Sequence, residues 1–305
     1  MEAGKNSKKV AVIILNYENY EDTLECIDSL TNNVSKNVDI IVVDNKSTNN
    51  SVNELKNKTD KIDKLLVNEK NLGYAGGNNV GIQYAYEQGY KYVCILNNDT
   101  IVTENFIEKL QNYLDNHLEC GIIGPAILEY DKDNIIQSTG GEIVYWRART
   151  FLLNSMISYD KIDKTPNEVE WIGGACMMFR SEIIKKIGYI PECYFLFYEE
   201  TDWCCQARKA GIKVVCQPDA YIYHKRSASV KNMKGLSFYL MERNRVRFVI
   251  RTAPLPLKFI SIGLLFIWTA VKIILKKPDC KEKMQCYWDG LINRINDAYP
   301  FVIIR

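Results

Sequence analysis

Short apolar runs alternate with amphipathic stretches through the first part of the chain. Val, Ile and Leu dominate runs at 10–15, 39–43, 64–67, 90–96 and 121–128, which predicts buried β-strands. Between these runs, apolar residues recur at helical spacing. This spacing predicts helices at 20–30 and 78–88, and a third that carries 106–114 and is capped by Thr103. Strands that alternate with helices of this length form βαβ units, so we predict an α/β fold with a mainly parallel sheet.

Three of the predicted strands end in polar side chains. Asn16 follows the first run, Asp44 the second, and Asn97, Asn98 and Asp99 the fourth. The carboxyl ends of parallel strands share one edge of a sheet, where α/β proteins bind ligands. Asp99 could there hold a divalent cation that binds a diphosphate, and Asp44 could accept hydrogen bonds from a ribose or a base. Local turns or helix caps use the same residue types, so the pattern alone leaves both interpretations open.

A glycine-rich segment precedes the helix predicted at 78–88. Gly73, Gly76 and Gly77 permit positive φ and close backbone approach, and a helix N-terminus favours a phosphate. The segment has no Gly-Lys-Ser/Thr, and no Gly-x-Gly-x-x-Gly motif follows the first strand. The glycines alone therefore identify no particular ligand.

An acidic cluster follows a run of aromatic residues in the second half of the chain. Phe197 and Tyr198 lead into Glu199 and Glu200, and Asp202 lies two residues further on. The dipole of a helix favours acidic residues at its N-terminus, which is one explanation of the cluster. Alternatively, a carboxylate held beside another in apolar surroundings has a raised pKa and can act as a general base.

Two further features of this half are candidates for a ligand site. Gly173 and Gly174 interrupt an apolar run that begins at Trp171, which indicates that another group packs against bare backbone. His224, one of two histidines, ends an alternating β-run and precedes Lys225 and another basic residue. A lone histidine is commonly structural. Beside an Asp-bound cation, however, His224 is a candidate ligand, and the basic residues could contact diphosphate oxygens.

Composition narrows the class of protein. The 305 residues are 47% hydrophobic and 25% charged with a net charge of +2, so no global field argues for nucleic-acid binding. The ten cysteines include no Cys-x-x-Cys pair, and Cys204 and Cys205 are adjacent, which indicates neither a zinc site nor a disulfide framework. The polar N-terminus leads into an apolar run that is too short for a signal peptide, so we expect a cytoplasmic protein.

The chain changes character after about residue 231. Basic residues precede a nearly continuous apolar run at 259–275, which only Lys272 interrupts. The run is short for a membrane span, whereas Trp268, Lys272 and the flanking cations suit a helix that lies in the membrane interface. We expect residues 255–277 to hold the protein peripherally on the inner face of the plasma membrane. Packing against the rest of the chain and a homodimer contact are the alternatives.

Seven motifs in order across residues 9–230 resemble glycosyltransferase family 2, which comprises inverting transferases with a GT-A fold, and most closely its bacterial rhamnosyltransferase-like members. The motifs lie at 12–17, 42–47, 71–78, 96–100, 171–175, 198–202, and 224 with 227–229. The resemblance implies a Rossmann-like, mainly parallel sheet flanked by helices. A catalytic domain would span 1–230, with a nucleotide-sugar half at about 1–130 and an acceptor half at about 131–230, and a helical extension would span 231–305.

The resemblance also implies roles for individual residues. Glu200 would be the general base with Glu199 beside it, while Asp99 and His224 would hold a Mn²⁺ or Mg²⁺ ion. The wall around the donor sugar and the acceptor would contain Trp171, Gly173 and Gly174. Donor-binding residues would be Asn16, Asp44, Asn71, Gly73, Gly76, Gly77, Asn78, Asn97 and Asn98. Asn97 departs from the family's Asp-x-Asp pattern and resembles the Asn-x-Asp form of the rhamnosyltransferase-like group, and Glu200 stands where Asp is frequent.

These roles imply a metal-dependent inverting glycosyltransferase. It would move a sugar, with L-rhamnose as the family-level expectation, from a dTDP- or UDP-linked donor to a hydroxyl of a cell-surface glycan or a polyprenyl-linked acceptor. A sugar nucleotidyltransferase is an alternative, although residues 16–20 lack the glycine and cation that such enzymes carry after the first strand. A non-catalytic nucleotide- or carbohydrate-binding protein is another, although Asp99, Glu200 and His224 are all present.

Overall fold

The computed structural model describes residues 10–34, 37–58, 60–225 and 234–294, and strands alternate with helices through its first half. The elements there are β1 (Val10–Asn16), α1 (Tyr20–Asn33), β2 (Val38–Asp44), α2 (Ser51–Lys56), β3 (Lys64–Val67), α3 (Gly73–Glu87), β4 (Tyr92–Asn97), β5 (Thr100–Val102), α4 (Phe106–Asn116) and β6 (Cys120–Glu129). All five predicted strands are present, which confirms the α/β assignment.

The second half adds strands to the same sheet and ends in helices. The elements are β7 (Ile136–Ser138), β8 (Gly141–Val144), β9 (Arg149–Leu152), β10 (Asn167–Glu168), β11 (Cys176–Arg180), α5 (Ile184–Ile187), α6 (Glu199–Lys209), β12 (Lys213–His224), α7 (Lys234–Thr252), α8 (Leu255–Ile274) and α9 (Cys280–Leu291). Helix α6 begins with the acidic pair, as its sequence predicts, and Gly211 follows its end at φ +77°.

The sheet places the polar strand ends side by side. Its order is β10-β12-β6-β11-β4-β1-β2-β3, with β1, β2, β3 and β4 mutually parallel and β11 antiparallel between β4 and β6. In register, Asn16 lies opposite Asp44 and Leu15 lies opposite Asn97. The prediction that these strand ends meet at one edge of the sheet is therefore confirmed.

Both faces of the central sheet are buried. Val12 and Ile14 of β1 pack with apolar residues of α1 and α4, while Ile13 faces residues of α3 and α6 in the other core. Burying one such side chain contributes about 1.5–3 kcal/mol, so the central strands form a rigid support for whatever their ends carry.

Two helix starts differ from the sequence prediction. Helix α3 begins at Gly73 rather than at Asn78, so the glycine segment is helical over most of its length. Helix α4 is preceded by Asn105 in the left-handed region (φ 58°), and Thr103 does not cap it. The Thr103 hydroxyl instead donates to the carbonyl of Tyr221, which ties the start of α4 to β12.

The last helices pack on one another and on the sheet domain, but α8 leaves much of its apolar surface open. Leu255–Ile274 is long and apolar enough to cross a membrane by length and composition alone, and only 11% of its apolar window is buried. Phe259 and Ile274 are 71% and 78% exposed. Ser261 anchors the opposite face of the helix through a hydrogen bond to the carbonyl of Tyr145.

Candidate active site

The ends of β1 and β2 are joined by a buried hydrogen-bond network. Asp44 accepts hydrogen bonds from Asn16 Nδ2 at 2.7 Å, from Ser47 Oγ at 2.7 Å and from the Ser47 backbone N–H at 2.9 Å. Asn16 in turn accepts one from Thr23 Oγ1 at 2.7 Å. Asp44 and Asn16 thus fix the shape of the loop that follows β2, because hydrogen bonds to a charged carboxylate are strong. Direct contact between Asp44 and a ribose or base stays a prediction.

The end of β4 brings a carboxylate and an imidazole together. Asp99 is 7% exposed, and its Oδ1 lies 3.1 Å from Nε2 of His224 at the end of β12. The other ring nitrogen of His224 lies 2.9 Å from Oε1 of Gln137, which fixes the ring with Nε2 toward Asp99. Strand β5, which follows Asp99, pairs with β12 and holds the two residues in register.

This donor set fits a cation that completes its coordination with substrate. Small divalent cations bind through one or two protein ligands, substrate phosphates and waters rather than in all-protein cages. Asp99 and His224 supply one oxygen and one nitrogen of this kind. Among the residues that the structure describes, no group of three or more His, Cys, Asp or Glu side chains could hold a metal. A cation held by Asp99 and His224 therefore stays a proposal.

The expectation for the basic residues after His224 is wrong for the first of them. Lys225 Nζ lies 2.7 Å from Asp22 Oδ1 and 2.5 Å from Glu25 Oε2, both on α1. Its backbone N–H donates to the carbonyl of Asp99 at 2.9 Å. Lys225 thus fastens the Asp99 loop to α1 instead of facing a diphosphate. The expectations for Arg226 and for 227–229 lie outside the described residues.

The two asparagines before Asp99 have different surroundings. Asn98 Nδ2 donates to the Asn19 carbonyl at 3.1 Å and to Thr23 Oγ1 at 3.0 Å, so its side chain closes the turn onto α1. Asn97 is half-buried at the tip of β4, and its backbone N–H donates to the carbonyl of Ala175 at 2.9 Å. Donor contacts of Asn97 and Asn98 stay predictions.

The glycines of the 71–78 segment serve close packing. A Cβ at Gly77 would lie 2.5 Å from the side chain of Leu15, and one at Gly73 (φ +71°) would lie 2.4 Å from the carbonyl oxygen of Phe195. A Cβ at Gly76 would lie 2.7 Å from Cβ of Leu72, the residue before the helix. Because α3 begins at Gly73, the predicted cradle is the first turn of a helix rather than a loop. A phosphate contact there stays a prediction, and the N–H groups of Gly73 and Tyr74 already donate to Asn71 Oδ1 at 2.9 Å and to the carbonyl of Phe195 at 2.7 Å.

Asn45, just after β2, ties that strand to the start of the 71–78 segment. Asn45, at the end of β2, donates to Asn71 Oδ1 at 2.9 Å and accepts from the Leu72 backbone N–H at 3.0 Å. Asn71 also accepts from the Gly73 N–H at 2.9 Å. Asn78 donates to the Tyr74 carbonyl at 3.0 Å inside the helix. Asn71 and Asn78 therefore have structural partners, and their proposed donor contacts remain untested.

The segment around Trp171 forms a wall beside α6. The Trp171 ring is buried against Gly141, where an added Cβ would lie 2.2 Å from it, so this ring supports the wall from behind. Only one atom, at 3.9 Å, lies near an added Cβ at Gly173. Gly174 accepts a hydrogen bond at 2.6 Å from the hydroxyl of Tyr74, and its bare Cα leaves room for that phenol.

The two glutamates at the start of α6 occupy different environments. Glu199 is 2% exposed, and its Oε2 has no hydrogen-bond partner among the described residues. Burial raises the pKa of Glu199 well above its usual range, and the neighbouring Glu200 raises it further. Burial also raises the pKa of Glu200, but the backbone N–H groups of Glu200, Thr201 and Gly174 oppose that rise. The pKa of Glu199 is thus raised more strongly than that of Glu200, which favours the protonated form at Glu199, and the role of Glu200 as general base stays a prediction.

The loop that delivers the glutamates is strained and is held by α7. Phe195, Phe197 and Tyr198 have φ angles of 70°, 71° and 76°. Such angles cost of order 1–3 kcal/mol each and persist only when the surroundings impose them. Asn244 of α7 is fully buried, and its Nδ2 lies 3.0, 2.7 and 3.1 Å from the carbonyl oxygens of Tyr194, Leu196 and Phe197. Helix α7 is therefore part of the scaffold of the acidic pair.

A second contact joins α7 to α6. Asp202, which the sequence analysis grouped with the acidic cluster, is 1% exposed and forms an ion pair with Arg251 of α7. It also accepts a hydrogen bond from Tyr194 at 2.6 Å. Asp202 holds helices together and does not face the site.

Replacing Asn244 by leucine should misplace the glutamates. The change keeps the number and branching of the side-chain heavy atoms but leaves three carbonyl groups without their donor, and we expect a loss of about 2–3 kcal/mol of unfolding free energy. We also expect kcat to fall further than the affinity for donor, since the loop carries the base. Urea unfolding and steady-state kinetics measure both effects. Asn112→Leu, on the exposed face of α4, is the matched control and should change neither. An unchanged kcat in Asn244→Leu would argue against the clamp.

Comparison with known proteins identifies the class to which this fold and site belong. A mixed, mostly parallel sheet with helices packed on both faces is the GT-A architecture of glycosyltransferases, and the solved structures described below share it. The family model of glycosyl transferase family 2 matches residues 11–188, and the chain belongs to that family. It is accordingly a glycosyltransferase, as the sequence motifs predict.

Two curated relatives match most of the chain. One is the low-salt glycan biosynthesis hexosyltransferase Agl10 of Haloferax volcanii, 28% identical over 77% of this chain and 74% of its own length. The other is the dTDP-rhamnosyl transferase RfbF of Shigella flexneri, 27% identical over 85% of this chain and 83% of its own.

Solved structures agree on the fold. A crystal structure of S. aureus TarS 1–349 in complex with UDP-GlcNAc has a TM-score of 0.60 at 18% identity, covering 94% of this chain and 82% of that one. GalNAc-T7 with UDP, GalNAc and Mn²⁺ has a TM-score of 0.62 at 15% identity over 81% of this chain, which spans about half of that protein (48%).

Sequence reasoning missed three residues of the site. Tyr74 lies among the asparagines and glycines predicted to bind the donor in the 71–78 motif, but the sequence alone does not distinguish it. Burial and the two glutamates raise the pKa of this phenol, which keeps its hydroxyl a neutral donor. Gln137 sits in a region with no distinguishing pattern. Asn244 lies in a helix whose arginines drew attention instead, and a buried amide in an amphipathic helix gives no sequence signal.

Proposed function

We propose that the protein is a metal-dependent, inverting glycosyltransferase that moves a sugar from a nucleoside-diphosphate donor to an acceptor hydroxyl. One juxtaposition carries the proposal: the segment 174–175 joins the tip of β4 to the acidic pair. Ala175 accepts a hydrogen bond from the Asn97 N–H at 2.9 Å, and the backbone of Gly174 contacts the Glu200 carboxylate. Asn97, two residues before Asp99, and Glu200 therefore contact adjacent residues of one short segment, which supports a shared site.

The mechanism assigns Glu200 as the general base. Its carboxylate, set in partly apolar surroundings beside a protonated Glu199, would remove the proton from the acceptor hydroxyl as that oxygen attacks the anomeric carbon. Attack from the face opposite the leaving group inverts the configuration and needs no covalent enzyme intermediate. Tyr74 and the glycine wall would position the two sugars and exclude water from the reacting bond.

The donor side of the site would hold the diphosphate. Asp99 and His224 would bind a Mn²⁺ or Mg²⁺ ion, which when bound supplies positive charge for the departing nucleoside diphosphate. Asn97 and the N-terminus of α3 would contact the donor beside it, and the Asp44 loop would bound the nucleoside. Similarity to an enzyme named dTDP-rhamnosyl transferase supports a dTDP-linked donor and L-rhamnose as the first candidates.

The acceptor would be a glycan destined for the cell surface, free or polyprenyl-linked. Similarity to enzymes named for glycan biosynthesis and rhamnosyl transfer supports this class. A lipid-linked acceptor would require the protein to work at the cytoplasmic face of a membrane, and the exposed apolar surface of α8 would hold it there.

Nucleotide binding tests the proposal. Calorimetry with UDP, dTDP and GDP, each with Mn²⁺, with Mg²⁺ and with EDTA, should show cation-dependent binding of one nucleoside diphosphate. The sugars usually linked to that nucleotide then become the substrates to assay. A folded protein that binds none of the three would contradict a nucleotide-sugar enzyme and favour a carbohydrate-binding role.

The exposed face of α8 should direct the protein to anionic liposomes. In a flotation assay we expect wild type to rise with the vesicles, and Phe259→Glu with Ile267→Glu, at positions 71% and 61% exposed, to remain in the soluble fraction. Leu118→Glu with Met156→Glu, at positions 81% and 62% exposed elsewhere on the surface, is the matched control and should float. Wild type that stays soluble would contradict membrane binding through 255–277.

A further inference from the structure

A cationic cavity lies between the β8–β9 hairpin and the C-terminal helices. It has a volume of about 400 Å³, and residues 146–149, Arg245 of α7, the 261–272 face of α8, and Cys280, Lys283 and Tyr287 of α9 line it. All of these positions belong to the described part of the chain. The cavity plays no part in the donor site or in the mechanism above.

The walls of this cavity carry cations and no anion. Arg147, Arg149, Arg245, Lys272 and Lys283 line it, together with Trp146 and Trp268. Glu242, behind the wall, lies 2.9 Å from Arg245 and 3.4 Å from Lys283, so it offsets part of the charge of those two. Within the described residues, neither Arg149 nor Lys272 forms an ion pair with a carboxylate. Such a site favours a ligand that carries phosphate charge.

The cavity opens beside an apolar helix face. Lys272, which interrupts the apolar run of α8, lines the cavity, while Phe259, Ile267 and Ile274 of the same helix are exposed at 71%, 61% and 78%. Trp268 lines the cavity and is itself 62% exposed, so it stands between the two surfaces. A ligand with an anionic head and a hydrocarbon tail would match both the charge and the apolar surface.

The cavity is also connected to the acidic pair. Tyr198, the residue before Glu199, interacts with Arg245 and Arg149, and its ring lies 5.2 Å from that of Phe248. Phe248 in turn stacks at 6.2 Å on Tyr145, at the base of the β8–β9 turn. One wall of the cavity therefore ends at the helix turn that presents the base.

We propose that this cavity binds the phosphate or diphosphate head of a polyprenyl-linked acceptor, with the prenyl chain along the exposed face of α8. The proposal rests on the proposed glycosyltransferase function, and it narrows the acceptor to a lipid phosphate whose sugar reaches Glu200.

Farnesyl diphosphate is a soluble probe of this site. Trp146 and Trp268 line the cavity, so its binding to the full chain can be followed by tryptophan fluorescence and confirmed by calorimetry, in EDTA to keep diphosphate from the cation site. We expect farnesyl diphosphate to bind more tightly than inorganic diphosphate or farnesol. Arg149→Ala with Lys272→Ala should weaken that binding about tenfold or more for each charge removed. Lys276→Ala with Lys277→Ala, the same change of charge on exposed residues just after α8, should leave it unchanged.

The possible outcomes separate the proposal from its alternatives. Equal binding of inorganic diphosphate would overturn the lipid assignment and leave a free-phosphate site. If the Lys276 and Lys277 changes weakened farnesyl diphosphate binding as much as the Arg149 and Lys272 changes do, binding would depend on diffuse surface charge, and the cavity would not be the binding site. Tighter binding of dihexanoyl phosphatidylglycerol would assign the cavity to a membrane phospholipid instead. Nucleoside diphosphate binding is measured on wild type and on the same variants. A wild type that binds no nucleoside diphosphate contradicts the proposed enzyme. Variants that still bind nucleoside diphosphate but no longer bind farnesyl diphosphate support the proposal.

Discussion

Glu200→Gln should lower kcat by about 10²- to 10⁴-fold and leave the affinity for nucleoside diphosphate unchanged. The amide keeps the shape of the side chain and the contact with Gly174 but cannot accept the acceptor's proton. Because burial disfavours the charged form of Glu200, removing the charge should also leave the protein at least as stable as wild type. Steady-state kinetics, calorimetry with the nucleotide and thermal unfolding on one preparation test all three expectations.

Glu199→Gln is the matched control on the adjacent residue. Burial raises the pKa of Glu199 well above its usual range, which favours the protonated form that glutamine resembles. We therefore expect a much smaller loss of kcat than in Glu200→Gln. A larger loss in Glu199→Gln would exchange the roles of the two carboxylates.

The pH dependence of kcat/KM provides an independent check on the base. A base must be deprotonated to work, so the rate is lost as the pH falls through its pKa. Burial raises the pKa of Glu200, which places the acid limb of the profile above the pKa of an ordinary glutamate. That limb should disappear from the residual activity of Glu200→Gln.

The strand ends were the most predictable part of the molecule. The strand before Asn97, Asn98 and Asp99 is buried on both faces, so its continuous apolar composition locates it in the sequence. Parallel pairing of the first two strands then brings Asp44 to Asn16. The acidic pair was predictable for a similar reason, because two carboxylates at a helix start after aromatic residues give a local signal.

The parts that escaped prediction depend on contacts between distant segments. The sequence predicts that Gly77 lies in a loop that approaches a ligand. In the structure, Leu15, sixty-two positions earlier in the chain, fills the space that a Cβ at Gly77 would need. The sequence predicts that Lys225 contacts a diphosphate, whereas in the structure it pairs with Asp22 and Glu25 of α1. Asn244 fixes a loop whose strain exists only in the folded chain.

These contacts change how the C-terminal helices are understood. The family model ends at residue 188, before α6 begins, yet α7 supplies the donor that holds the loop of the acidic pair. Helix α7, which follows the boundary predicted at about residue 230, therefore contacts the loop that precedes the acidic pair. A chain truncated there would lose Asn244 and Arg251 along with α8, so point variants on the exposed face of α8 test membrane binding more cleanly than deletions do.

Asp99→Asn should abolish cation-dependent nucleotide binding. The change removes the carboxylate whose Oδ1 lies 3.1 Å from His224 Nε2, and it keeps the size of the side chain. Changes to groups that only orient a metal ligand cost about 10- to 100-fold in affinity, so loss of the ligand itself should weaken nucleoside diphosphate binding at least 100-fold in the presence of Mn²⁺. Calorimetry with and without EDTA measures this effect directly.

Two further variants make the Asp99 result specific. Gln137→Leu removes the group 2.9 Å from Nδ1 of His224, so it should give an intermediate loss of about 10- to 100-fold by releasing the imidazole. Asp28→Asn makes the same carboxylate-to-amide change at a side chain that is 56% exposed and paired with Lys61, and it should bind as wild type does. If Asp99→Asn kept the full cation dependence, the ion would be held elsewhere. A graded loss from Asp28→Asn through Gln137→Leu to Asp99→Asn would instead mean that two strand ends, β4 and β12, hold the donor through a single ion.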